Sequence, residues 1–286
     1  MYPRSVLMRV ILPDRREHFQ CFLQRPAPRQ GSGQASGAAN QPFAAANWRL
    51  FGVVGGRYNA ADMIVTIDGT VGSGKSTAAA GLARRLGAAH LDTGAMYRAL
   101  TLKALETGVD LEDAEALEAL AAASDVELDG RAGEQRVRLD GRDVTDAIRA
   151  NRVSTHSHYV ARAPAVRRVM VRKQRAFAER AGDVVAEGRD QGTVVFPDAE
   201  VKIFLDADPE ERARRRQVEL EGLGEYRSFR EVFEEIQERD RRDSTREASP
   251  LKAADDAVRV DTSGMTIEEM IEALVAEVRR RTKETP

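Results

Sequence analysis

The sequence predicts an α/β fold from Met63 onward: a parallel sheet flanked by helices, with a small antiparallel insert and a helical lid. Three observations carry that expectation. Short apolar runs bounded by turn residues alternate with longer segments of helical period. A glycine-rich run joins the first of these strands directly to the first helix. Between about 125 and 139 the apolar period changes to two, which marks a separate hairpin.

Taken in order, Met63–Ile67 is a short apolar strand, and 75–86 a helix that ends at Gly87. His90-Leu91 is a second strand, 95–106 a helix stopped by Gly108, and 113–123 an alanine-rich helix. Val126/Leu128 and Val137/Leu139 alternate as strands do, around a turn holding Gly130 and Gly133. Helices are expected at about 150–162 and 164–180, then buried parallel strands at Asp183–Ala186 and Val201–Leu205. Charged helices at 209–220 and 229–242, a strand at Val258–Val260 and an amphipathic helix at 266–282 complete the chain. The expected core is 63–92, 183–206 and 250–286, with the insert-bearing region at about 93–180 and the lid at about 207–228.

Residues 1–62 differ in kind. They hold eight arginines against three acidic residues, half of the ten prolines, the single tryptophan and the single cysteine, Cys21. The run from Gly31 to Asn40 is small and polar without period and is expected to be disordered. An arginine-rich, acid-poor leader resembles a transit peptide. The reading favoured on composition is that the working chain starts at Met63, which opens the first strand. One cysteine allows no intramolecular disulfide, which suits a reducing, cytoplasmic setting. No run approaches the length of a membrane span. Because the overall charge is −2 and the leader is basic, the acidic excess lies in the body. That argues against general nucleic-acid binding and requires basic residues to converge locally if phosphate is held. No apolar heptad or stripe stands out, so a monomer is expected.

The run Gly69-Thr70-Val71-Gly72-Ser73-Gly74-Lys75-Ser76 fits G-x-x-x-x-G-K-[ST], and Thr77 follows it into the helix. Strand before and helix after are the context this phosphate-binding loop requires. Its backbone N–H groups face the anion, and the helix N-terminus adds partial positive charge. Lys75 then reaches the β/γ phosphates and Ser76 ligates Mg²⁺. This predicts a P-loop NTPase-type sheet and an ATP site, with the reaction still open.

Three further blocks narrow it. They are Asp92-Thr-Gly-Ala-Met-Tyr-Arg98, Glu187-Gly-Arg-Asp-Gln-Gly-Thr-Val-Val-Phe-Pro-Asp198 and Arg239-Asp-Arg-Arg-Asp243-Ser-Thr-Arg246. With the insert near 125–144, they resemble the motifs of bacterial cytidylate kinases, over essentially 63–282. Arginine is the side chain suited to hold a monophosphate bidentately, and the resemblance gives that role to Arg98, Arg189 and Arg246. It also gives recognition of cytosine to Arg167 and Asp190, contact with the sugar to Asp243 and Arg239, and the acceptor pocket wall to Thr93 and Tyr97. A carboxylate accepts from the cytosine N4 amine and opposes the carbonyl of uracil. Read without the motifs, Asp190 is equally a helix cap, Arg167 a solvated face and Arg239/Asp243 an i,i+4 pair. The chain departs from the family at His158, beside Ser157, where a serine usually completes the base site; His158 can donate or accept there.

The expected reaction is ATP-dependent phosphorylation of CMP and dCMP, in which alignment and charge neutralisation do most of the work. A lid must exclude water. Arg212, with Arg215 or Arg216, lies where related kinases carry lid arginines that close on the triphosphate, although three consecutive arginines cannot all face one way. Glu187 or Asp92 would hold Mg²⁺ through water. The competing readings are a kinase for UMP, shikimate or dephospho-coenzyme A, and a regulatory protein that senses ATP.

Overall fold

The computed structural model describes residues 8–11, 19–21, 63–129, 135–222 and 224–283. Strand β1 (Met8–Ile11) and strand β2 (Phe19–Cys21) precede the predicted body. The body then runs β3 (Ile64–Gly69), α1 (Lys75–Leu86), β4 (Ala89–Asp92), α2 (Thr93–Thr107) and α3 (Ala114–Ala123). The insert is β5 (Val126–Asp129), β6 (Arg136–Leu139) and β7 (Arg142–Asp143), followed by α4 (Asn151–Arg162) and α5 (Pro164–Ala181). The second half is β8 (Val184–Gly188), β9 (Val201–Asp206), α6 (Pro209–Gly222), α7 (Phe229–Thr245), β10 (Val258–Asp261) and α8 (Ile267–Lys283).

The main sheet has the order β2-β1-β10-β9-β3-β8-β4. From β10 to β4 all neighbours are parallel, with β3 between β8 and β9. Alternate residues of β3 serve opposite faces. Val65 and Ile67 pack with Ala78 and Leu82 of α1 and Met270 and Leu274 of α8. Ile64 joins Leu100 of α2, Leu117 of α3 and Met170 of α5 on the other face. The antiparallel sheet β5-β6-β7 seats Val137 and Leu139 against Ala99 and Leu102 of α2. The fold class is therefore as expected, with the insert where the period changed.

Several details differ from the sequence expectation. The working chain was expected to start at Met63, and ahead of it Met8–Ile11 pairs antiparallel with β10, and β2 pairs with β1. A strand at the end of a sheet leaves backbone donors and acceptors open, and an apolar segment such as Met8-Arg-Val-Ile11 can satisfy them. The polar run at 31–40 lies outside the described residues. Helix α7 extends to Thr245, so Asp243 sits on its last turn. A π-helical turn at Gln191–Val195, not signalled by any apolar period, follows β8.

Candidate active site

Parallel order brings the C-terminal ends of β3, β8 and β4 to one edge, and a cavity of about 680 Å³ opens there. The loop after β3 depends on glycine in two ways. A Cβ on Gly69 would stand 2.0 Å from the Leu205 carbonyl oxygen, so no side chain fits. Gly74 has φ +85 where it caps α1, a left-handed conformation costly for other residues. Val71, Gly72, Gly74, Lys75, Ser76 and Thr77 line the cavity. Gly69, Thr70 and Ser73 do not; Thr70 donates to Asp206 Oδ1 (2.8 Å) and Ser73 to the Thr70 carbonyl (2.9 Å), which shapes the loop from behind.

The Lys75 amine is buried and donates to the Thr70 carbonyl, with Ser73 Oγ at 3.5 Å. Burial, followed by the Arg189 charge, pushes its pKa well below the ordinary lysine value. Ser76 Oγ donates to Glu187 Oε2 (2.7 Å), and the other Glu187 oxygen meets His90 Nε2 (2.9 Å). Burial opposes protonation of His90, but its bond to Glu187 prevails and raises its pKa. Thr93 donates to the Glu187 carbonyl (2.6 Å), and Asp92 caps α2 by accepting from the Ala95 N–H (2.8 Å). Asp92 also pairs with Arg98 (3.3 Å), so Glu187 is the better placed partner for a metal held by Ser76.

Among the described residues no three His, Cys, Asp or Glu gather as a metal site. The oxygen pair Ser76/Glu187 still fits Mg²⁺, which takes one or two protein oxygens and completes its shell with phosphate and water.

Opposite the loop stands an arginine cup. Arg98, Arg189, Arg239 and Arg246 line the same cavity as Lys75, together with Thr93, Tyr97 and Asp243. Arg189 Nε donates to Asp243 Oδ2 (2.9 Å). Burial works against Asp243's charge, but Arg189 and Arg239 hold its pKa below the usual carboxylate value. Burial and the Arg189 charge lower the Arg239 pKa to about 10. Burial, then Arg167, lowers that of Arg246. Two buried polar atoms in the cup lack protein partners: Arg98 Nε and an Arg246 terminal nitrogen. Such atoms need a ligand or water to satisfy them.

Deeper in the cavity wall, Arg167 and Asp190 form an ion pair with both side chains buried. Arg167 also donates to Ser249 Oγ (3.1 Å) and stacks over Tyr97, 5.7 Å from its centroid. Burial raises the Tyr97 pKa to about 12. Ser157 and His158 line the same cavity. Their bonds run back along α4, Ser157 Oγ donating to the Ser154 carbonyl (2.8 Å) and His158 Nδ1 meeting the Thr155 carbonyl (2.8 Å).

The three consecutive arginines of α6 part company. Arg214 is exposed and pairs with Glu210, while Arg215 and Arg216 line the cavity. Arg212, expected among the lid arginines, is buried outside the cavity. It donates to the carbonyls of Ala207 and Val71 (both 3.0 Å) and pairs with Asp240 (2.5 Å). Its guanidinium therefore braces the loop against α7 rather than facing a triphosphate. Arg212→Ala should cost about 3 kcal/mol by leaving Asp240 and the Val71 carbonyl short of a donor. Thermal unfolding checks this, and an unchanged midpoint would contradict the bracing role.

Residues not singled out in the sequence complete the site. Asp68, buried in β3, accepts from the Gln191 and Gly192 N–H groups (2.9 and 2.8 Å), and burial raises its pKa to about 6. It fixes the π-turn beside Arg189 and Asp190. Ser249, at φ +52, accepts from Arg167 through its hydroxyl and from Arg246 through its carbonyl (2.5 Å). Met265, Ile267 and Met270 form an apolar wall beyond the phosphate loop, beside Thr266. In the sequence only a serine before Pro250 and the apolar residues Met265, Ile267 and Met270 around the start of α8 bear on these roles, and neither signal is specific.

A family model described as Cytidylate kinase matches residues 65–280. Proteins described as Cytidylate kinase from Pelotomaculum thermopropionicum and Pseudomonas aeruginosa are 53% and 49% identical to this chain. The first alignment spans 75% of this chain and 95% of the relative, the second 78% and 98%. A third, from Caldanaerobacter subterraneus subsp. tengcongensis, is 48% identical over 77% of this chain and 96% of its own length.

Proposed function

This chain belongs to the cytidylate kinase family, and on that premise we propose that it transfers the terminal phosphoryl group of ATP to CMP and dCMP. One observation supports the reading most: a phosphate loop bearing Lys75 and Ser76 shares a single cavity with an arginine cup and a buried Arg167–Asp190 pair. The loop amides and Lys75 hold the β and γ phosphates of the donor. The apolar wall of Met265, Ile267 and Met270 faces the adenine. Ser76, with Glu187 behind it, would hold Mg²⁺, which neutralises phosphate charge when bound.

In the acceptor half, Arg98, Arg189 and Arg246 take the monophosphate. Asp243 and Arg239 meet the sugar, and Asp190 accepts from the cytosine N4 amine while Arg167 donates to N3 or O2. Arg215 and Arg216, at the cavity mouth on α6, close over the transferring group. Their charge favours the transition state, and closure excludes water as a competing acceptor. The reading includes a monomer that works on small nucleotides in the cytoplasm, without nucleic acid. No described helix is long and apolar enough to cross a membrane.

Formation of ADP, followed in a coupled assay with each nucleoside monophosphate in turn, tests the proposal. CMP and dCMP should drive turnover well above UMP, AMP and GMP. A chain that forms no acceptor-dependent ADP, or that prefers another acceptor, is not what we propose.

A further inference from the structure

His158 lines the acceptor half of the cavity, and its surroundings define what it can offer a base. Its Nδ1 lies 2.8 Å from the Thr155 carbonyl. A carbonyl only accepts, so Nδ1 must carry the proton. A neutral imidazole has one N–H, and the ring's remaining nitrogen, Nε2, is then a lone-pair acceptor. The ring is held in place as well: it packs on Tyr159 at 4.1 Å between centroids, and it lines the cavity with Arg167 and Asp190.

We propose that His158 is a specificity-determining residue whose Nε2 accepts a hydrogen bond from the exocyclic amine of the acceptor base, so that protonating the ring turns a cytosine-selecting atom into one that favours uracil. The inference rests on the acceptor reading above and deepens it. A cytosine N4 amine has two hydrogens, one for Asp190 and one for Nε2. Uracil presents a carbonyl there, which opposes both acceptors. Protonation makes Nε2 a donor, and the preference at that atom inverts.

The charges around the ring keep it neutral near pH 7. Burial lowers its pKa below 6.5, aided by Arg242 from α7 and by Arg162 and His156 of its own helix. The selecting form is therefore present above that lowered value and lost as pH falls through it.

The test is the ratio of kcat/KM for CMP to that for UMP between pH 5.5 and 8, measured for the full chain, His158→Phe and His158→Ser. Both substrates carry a phosphate whose second ionisation lies near pH 6, and the ratio cancels it, along with shared titrations such as that of Asp68. In the parent the ratio should fall about five- to tenfold toward acid, the worth of one hydrogen bond. In His158→Phe it should already be low at pH 8, through a raised KM for CMP, and flat with pH. His158→Ser should recover the high ratio without the pH dependence, because a hydroxyl accepts at any of these pH values. Nitrogen-15 spectra of the parent's imidazoles provide a readout that needs no variant: Nε2 should be unprotonated at pH 7.5 and move on addition of CMP but not of UMP. A flat parent ratio, the same pH slope in parent and His158→Phe, or a protonated Nε2 at pH 7.5 would overturn the inference while leaving the kinase reading intact. A parent that does not turn over CMP at all would overturn both.

Discussion

Replacing Lys75 with methionine is expected to lower kcat about a thousandfold without loss of fold. Among the described residues Lys75 is the only lysine on the cavity wall, and a preorganised donor to charge developing on phosphate is worth roughly 10²–10³ in rate. The stability half of the prediction comes from the same burial. A lysine whose folded pKa lies below its unfolded value binds its proton less well in the native state. It therefore lowers stability at neutral pH, and that penalty is relieved only as pH rises toward the unfolded value of 10.5. Methionine fills a similar volume with no charge to desolvate. The variant should melt at or above the parent temperature at pH 6–7, with the difference shrinking toward pH 10. Steady-state kinetics and melting curves at two pH values check both halves. A Lys75→Met enzyme with near-parent kcat would remove the donor site from its assigned place.

Asp190→Ala should be costly in two separable ways. Arg167 and Asp190 are each about 5% exposed, and deleting one partner leaves a buried charge uncompensated, a loss of about 3–5 kcal/mol. The base contact should be lost with it. A charge-assisted bond is worth ~1.5–3 kcal/mol, so the CMP-over-UMP ratio should fall about 10- to 100-fold. Asp190→Asn separates the two effects, since it restores volume while giving the site an amide that can donate to the uracil carbonyl. Its melting temperature should recover most of the loss while its selectivity does not. Unchanged selectivity in either variant would refute the base-recognition role.

Much of this was legible before any coordinates, and for identifiable reasons. Glycine-rich turns, apolar runs and helical periods are local signals, so β3, α1 and the insert strands fell within a few residues of their predicted ends. Lys75, Arg98, Arg189 and Arg246 stood inside motifs long enough to mark them. What escaped depends on distance in space rather than in sequence. Arg212 looks like its neighbours Arg215 and Arg216 in the chain. Only the packing of α6 on Val71 and Ile236 turns it toward Asp240 and away from the cavity. Asp68 reads as a polar residue in a largely apolar strand, until β8 ends beside it and the amides of Gln191 and Gly192 bind it. Strand β1 escaped because its partner, β10, lies some 250 residues away and pairing needs no composition of its own.

The arginine cup has a consequence for how the protein responds to simple anions. Burial, and after it the neighbouring arginine charges, make Lys75, Arg239 and Arg246 all hold their protons less tightly than free side chains do. A bound dianion offsets that crowding of positive charge whatever chemistry follows. Sulfate or phosphate in a buffer should therefore act as a folding aid, and the apparent affinity for nucleotide will depend on which anions have been removed beforehand.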